Sequence, residues 1–386
     1  MNKDKFPFHE QLIKVKYHDR LVGTLARMAD GKTAFAYDDD WLTDGFSISP
    51  FSLPLEKKVF VPDKTCFDGL FGIFADSLPD AWGQILLNRI LQKNGLSEAT
   101  MTMTDRLAVV GTSGMGALEY EPDHTFKERQ DAIDLDHLAA QCRQILTSEY
   151  AEDLDMLYQM GGASGGARPK IMTEYDGKEW IIKFPAHVDR NDIGKMEFDY
   201  AECARKCGID ITETRLFPST ECSGYFGIIR FDRIKENNAY KKVHMATAAA
   251  LLEADFRAPC LDYHALMKLT RILTEENTRD IENMFRRACF NVFAHNRDDH
   301  AKNFTFLYLE EEERWHLSPA YDLTYSNTYY GEHTTSVDGN GTNPGEKELL
   351  QVGTKAGMKR NLCMDIIEQV RDTVNEELQG YLVGEK

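Results

Sequence analysis

Ten residues, His295 to Phe304 (HNRDDHAKNF), hold two aspartates, two histidines, an arginine, a lysine and two asparagines. The apolar run MFRRACFNVFA precedes them and the alternating FTFLYL follows. A solvated loop would account for polarity alone, but the spacing says more. Asp298 and Asn303 are separated by four residues. A carboxylate can take the proton of an attacking hydroxyl, and an amide oxygen can face a hard cation held on phosphates. A short loop leaving a helix presents both to one side. This is the equipment of phosphoryl transfer, where a protein contributes position and charge rather than covalent chemistry.

Three further elements fit that chemistry. FTFLYLEEEERWHLSPAYDL reads as strand, acidic turn, strand and then Asp322. A hairpin brings its ends together, so Asp322 returns beside Asn303 as a second metal ligand. Lys183, in EWIIKFP, sits on a strand, where a lysine is costly unless it meets an anion. Just before that strand pair lies GGASGGARPK, with Gly162, Ala163, Ser164, Gly165 and Gly166 in a turn that lets backbone approach phosphates closely. Glu197 or Glu202, on the next helix, would pair with Lys183, with Glu197 preferred. Each feature has an ordinary reading as turn, edge residue or surface loop. Their joint order, however, is that of protein kinases: glycine loop, strand lysine, Asp-x-x-x-x-Asn, hairpin aspartate. The expectation is an ATP- and magnesium-dependent phosphotransferase. The local Tyr321-Asp322-Leu323 departs from the Asp-Phe-Gly of ordinary protein kinases.

The surrounding elements can be read coarsely. LIKVKYHDRLVGTLAR predicts a hairpin and GKTAFAYDDDWL a further strand. SLPDAWGQILLNRILQKNG predicts a helix stopped at Asn-Gly. GTSGMGALEYEPD reads as a tight turn and a short strand; no lysine and no following helix support a phosphate loop there. LDHLAAQCRQILTSEY and DIGKMEFDYAECARKCGI predict helices, MGGASGGARPKIMTEYDGKEWIIKFPA turn–strand–turn–strand, and GYFGIIRFDRI a buried strand. From about residue 241 the chain reads as mainly helical. The expected fold is α+β, kinase-like and two-lobed, with an N-terminal subdomain over 1–125, a nucleotide-binding lobe over 126–240 and a helical catalytic lobe over 241–386.

Composition narrows the function classes. The 386 residues suit two or three domains, and 42% are hydrophobic. No apolar run reaches the roughly 18 residues of a membrane span, and the first residues lack a signal-peptide core, so a cytoplasmic protein without membrane attachment is expected. The net charge of −18 disfavours direct binding to nucleic acid. The eight cysteines form no Cys-x-x-Cys pair, and Cys203 and Cys207 read as reduced structural thiols on one helix face.

The motifs resemble the HipA family of serine/threonine kinases, toxins of type II toxin–antitoxin systems. FADSLPDAWGQILLNR and VGTSGMGALEYEP resemble its N-terminal subdomain, GGARPK, WIIKFP, RFDR and HMATAAALL its nucleotide lobe, and NRDDHAKNF and LSPAYDL its catalytic and metal loops. The resemblance implies Asp298 as base, Asn303 and Asp322 on magnesium, and a nucleotide site formed by Lys183, the loop from Gly162 to Gly166, Phe231, His300 and Tyr321. His300 stands where ordinary protein kinases place a phosphate-contacting lysine. Ile229 replaces a glutamate often found before RFDR. The resemblance also implies a HipB-like helix-turn-helix antitoxin that supplies the DNA contacts, and a protein substrate such as an aminoacyl-tRNA synthetase. It makes Ser164 a candidate for autophosphorylation, although the best-known family serine aligns with Ala163. A small-molecule or lipid kinase and a non-catalytic co-repressor are the alternatives.

Overall fold

The computed structural model describes residues 9–63, 66–125, 134–147, 154–236, 239–258, 261–328 and 331–382. The chain forms two compact units, each visited more than once: Met1–Asn191, Phe217–Ala246 and Ala250–Glu253 in the first; Asp192–Leu216, Thr247–Ala249 and Ala254–Lys386 in the second.

In the first unit, β1 (Leu12–Tyr17), β2 (Arg20–Arg27), β3 (Thr33–Tyr37), β4 (Val59–Phe60) and β5 (Leu118–Glu121) form a sheet ordered β4-β3-β2-β1-β5. The expected hairpin is β1–β2, closing at Tyr17 opposite Arg20. Strand alternation sends Ile13, Val15 and Tyr17 into the core. Helices α1 (Ala81–Lys93) and α3 (Leu135–Thr147) follow the expected periodicities, whereas α2 (Met103–Val110) and α4 (Leu154–Gly161) were not foreseen. Much of the expected boundary near 121–135 lies outside the described residues.

A second sheet carries β6 (Lys170–Tyr175) and β7 (Lys178–Lys183), with β8 (Tyr225–Ile229) added antiparallel to β7. Asp176 and Gly177 join β6 to β7 with φ of 51° and 67°, the left-handed conformation that a two-residue hairpin turn needs. That turn sets the register: Tyr175 faces Lys178, and Lys170 faces Lys183. On β7, Trp180 and Ile182 enter a core with Trp82, Leu86, Ile90 and Leu157. Lys183 therefore points to the other face.

The second unit is mainly helical: α5 (Ile193–Lys206), α6 (Tyr263–Leu273), α7 (Thr278–Phe293), α8 (Glu346–Lys355) and α9 (Arg360–Glu377), with one hairpin of β9 (Thr305–Leu309) and β10 (Arg314–Leu317). Asn277 opens α7 by accepting bonds from the amides of Arg279 and Asp280. Met284, Phe285, Ala288 and Cys289 then turn inward. Cys203, on α5, and Cys207, which caps its C-terminus, are both buried, and the adjacent Cys207 thiol together with burial pushes the Cys203 thiol up. That suits inert structural thiols. Among the described residues no helix is long and apolar enough to cross a membrane.

Candidate active site

The sequence-predicted residues fall into two sets, one in each unit. In the first unit the glycine loop leaves α4 and enters β6. Its small residues are required by close packing. A Cβ on Gly161 would lie 2.1 Å from the Lys170 carbonyl, and one on Gly166, at φ +93°, would lie 2.7 Å from Lys170 Nζ. Asp80 does not cap its own helix α1 with its side chain; its carboxylate accepts the amide of Gly166 at 3.1 Å. Ser164 is 1% exposed, and its hydroxyl donates to the Gly161 carbonyl.

Lys183 has a cross-strand partner in Lys170, so two ammonium-bearing side chains project from one face of the sheet. Lys170 is buried and donates to the Gly165 carbonyl, tying the loop to the strand. Lys183 Nζ lies 5.6 Å from the Phe226 ring centre. Like charges placed opposite one another are unfavourable unless an anion joins them. The glycine loop beside them offers backbone amides to the same anion. Lys170 was missed in the sequence reading, yet the Asp-Gly turn carried the signal: counting back in register from it pairs 170 with 183.

Phe231 lies beyond Ile229, where the Arg230 amide donates to Glu179 near the start of β7. Along a strand rising ~3.3 Å per residue this is roughly 15 Å from Lys183. Phe231 and Lys183 are thus at opposite ends of β7. The charged residues of RFDR are structural. Arg230 and Arg233 both pair with the buried Asp232, which also accepts the Gly116 amide. Burial opposes ionisation there, but the two guanidinium groups hold the Asp232 carboxyl well below its usual range. The Gly114 and Gly116 carbonyls accept from Arg233, so that glycine-rich stretch is a docked turn, as expected.

The second set surrounds the opening motif. Two adjacent aspartates face opposite ways: Asp298 is exposed, and Asp299 is wholly buried. Asn303 donates its side-chain amide to the Asp298 carbonyl at 2.7 Å. Because a carbonyl can only accept, this fixes which end of the amide faces it and leaves Oδ1 as an available oxygen donor. Asp322 adopts φ +52°, a left-handed conformation that aspartate tolerates better than most residues. The hairpin returns the chain as expected. The Tyr321 hydroxyl donates to the Lys302 carbonyl and accepts from Thr305 Oγ1 at 2.6 Å, joining the residue before Asp322 to the one before Asn303. Tyr321 is thus a tie between the 298–303 loop and the segment that carries Asp322.

An Asp, an Asn oxygen and phosphate oxygens suit magnesium, which keeps few protein ligands. His300 and Lys302 share a platform: the Phe256 ring centre is 5.8 Å from that of His300 and 4.5 Å from Lys302 Nζ. Of the two glutamates, Glu202 is engaged by Arg205 and by Thr214 Oγ1 at 2.8 Å, whereas Glu197 is 2% exposed.

Several supporting residues gave no sequence signal. The Asp299 carboxylate accepts from Tyr263 Oη at 2.9 Å, His333 Nδ1 at 3.0 Å and the Thr335 amide at 3.0 Å, and its backbone carbonyl accepts from Thr335 Oγ1. Arg287, on α7, is 2% exposed and donates to the Ser318 carbonyl, bracing the segment that leads to Asp322. Burial pushes its pKa down to about 10. These partners are dozens of residues apart, so spacing cannot reveal them.

Comparisons agree over nearly the full length. The family model described as the HipA N-terminal domain matches residues 13–121, and that of the HipA-like C-terminal domain matches 162–378. The Sinorhizobium fredii protein Y4dM, described as a putative kinase, is 25% identical over 407 residues, spanning 97% of this chain and 92% of that protein. Among solved structures, the Shewanella oneidensis toxin–antitoxin complex of HipA, HipB and operator DNA matches with a TM-score of 0.72 at 17% identity, covering 96% of this chain and 91% of that one. The α+β, kinase-like fold expected from the motifs is therefore the fold observed. With family models matched at both ends and the second spanning more than half its length, the chain belongs to the HipA family.

Proposed function

We propose that this protein is an ATP-dependent serine/threonine protein kinase and the toxin of a toxin–antitoxin pair. The observation that carries the reading is the catalytic loop: Asp298 exposed, Asn303 oriented by the Asp298 carbonyl, and Tyr321 binding the metal loop to it. Lys170, Lys183 and the amides of the 162–166 loop receive the ATP phosphates. Asn303 and Asp322 would hold magnesium, which would neutralise charge on those phosphates. Asp298 takes the proton of the acceptor hydroxyl as its oxygen bonds the terminal phosphorus and the bond to ADP breaks. Phe231 serves the adenine end, and His300, steadied on Phe256, serves the phosphate end.

A HipB-like helix-turn-helix partner supplies DNA contacts that a chain of net charge −18 does not favour. The Shewanella relative was solved with such a partner and operator DNA, which supports the reading. The acceptor is a protein, and an aminoacyl-tRNA synthetase fits translation arrest. Autophosphorylation of Ser164 would add ~−1.5 to −2 charges to the phosphate loop and silence the site, once the serine leaves its seat on Gly161.

The test is transfer of labelled phosphate from ATP to protein in a cell extract, followed by mapping of modified residues, with Asp298→Asn as control. The expected result is phosphoserine or phosphothreonine on an extract protein with the intact chain alone. Label only in small molecules or lipid would favour the alternative kinase, and no transfer at all would favour the co-repressor.

A further inference from the structure

The second unit contains a cavity of about 460 Å³ on the side of the catalytic loop where Asp299 is buried. Its polar lining includes Arg297, Arg371, His295 and His333, over an apolar floor that includes Phe293 and Leu382. No aspartate or glutamate lines it, in a chain with 63 acidic and 45 basic residues. The volume is that of a small-ligand site.

Two of these side chains connect the cavity to Asp298. Arg297 precedes it directly; its carbonyl accepts both the amide and the hydroxyl of Thr334 at 3.0 Å, and its guanidinium donates to Asn327 Oδ1 at 2.9 Å. His333 is 7% exposed and gives Nδ1–H to Asp299. That bond fixes the ring and leaves Nε2, which has no hydrogen-bond partner among the described residues, for the cavity the ring lines. A protonated His333 can therefore bridge the Asp299 carboxylate and an anion. The remaining charges are local. Arg371 is paired with Glu346 and Asp372 and lies 3.9 Å from Glu368, so it reaches the cavity already partly neutralised.

We infer that this cavity is a regulatory site for a phosphate monoester or inorganic phosphate, and that occupancy stiffens the loop carrying Asp298. Arg297 and His333 grip the anion from the two residues that flank the base: one is the preceding residue itself, the other the buried partner of the following one. Guanidinium and imidazolium donors to phosphate are the stronger class of hydrogen bond. The regulatory half of the inference rests on the kinase reading above; the binding half does not.

The test uses the full chain. Binding of inorganic phosphate, against a chloride-matched control, is followed by calorimetry and by the side-chain nitrogen resonances of His333. Lys183→Gln, which alters the nucleotide site, should keep the His333 response. Arg297→Gln should weaken phosphate roughly tenfold, the loss of one charge-assisted bond. No His333 response, or equal affinity in Arg297→Gln, overturns the site. A phosphoserine peptide run in parallel distinguishes a phosphorylated side chain from the free ion as the tighter ligand. In the transfer assay, saturating phosphate should raise the rate roughly fivefold, the low end of ordinary allosteric coupling, and not do so in Arg297→Gln. Phosphate that binds an active kinase without changing its rate overturns the regulatory half. An inactive chain that still binds phosphate at His333 overturns the kinase reading and leaves the site standing.

Discussion

At the scale of single residues, charge placement is the organising fact. Lys170 and Lys183 face each other across β6 and β7, and one aspartate is exposed while its neighbour is buried. Lys183→Met, which removes one of the two facing charges, is expected to weaken ATP binding roughly tenfold, the loss of one charge-assisted bond. Calorimetry would show it; a folded variant of normal ATP affinity would contradict the anion role. Asp298→Asn keeps the shape of the loop, so ATP binding should change little while phosphoryl transfer falls by at least ~100-fold. Asp322→Asn should weaken ATP binding more with magnesium than with a chelator present. Equal loss in both conditions would make Asp322 a structural residue only.

At the scale of elements, the glycine loop is shaped by what packs beneath it. Gly83 on α1 abuts the loop so closely that a Cβ would lie 1.9 Å from the Gly162 carbonyl. Backbone cannot yield as a side chain end can. Gly83→Ala should therefore displace the loop at a cost of about 1–3 kcal/mol, typical of overpacking, and weaken ATP binding although it alters no loop residue. Unchanged ATP affinity in a folded Gly83→Ala protein would show that the loop does not depend on α1. The β9–β10 hairpin works similarly at a distance, since its only task for the site is to return the chain so that Tyr321 meets Lys302.

At the scale of the whole molecule, stability should depend on pH through His244. It is wholly buried, its Nε2 lies 2.8 Å from the Ile48 carbonyl, and burial pushes its pKa from an ordinary 6.5 down to about 4. The unfolded chain therefore binds a proton that the folded chain refuses. Stability is full above the unfolded value and falls as pH drops from 6.5 towards 4. The loss amounts to about 3 kcal/mol at 1.36 kcal/mol per pH unit. His244→Gln should flatten that part of the pH profile in urea denaturation; an unchanged slope would assign it to other groups.

What the sequence by itself determined was local. The Asp298–Asn303 spacing, the glycine loop, the strand lysine and the hairpin before Asp322 each lie within a few residues of chain, where turn chemistry and periodicity act. Even the Lys170–Lys183 pairing was legible, because a two-residue Asp-Gly turn fixes register. The tertiary structure decided which of two adjacent aspartates is buried. Asp299 is held by Tyr263, His333 and Thr335, and Arg287 reaches Ser318, all across long stretches of chain. It also decided that Arg233 braces a glycine turn far upstream. A buried polar group takes whichever partner the packed chain brings within about 3 Å, and no spacing along the sequence encodes that meeting.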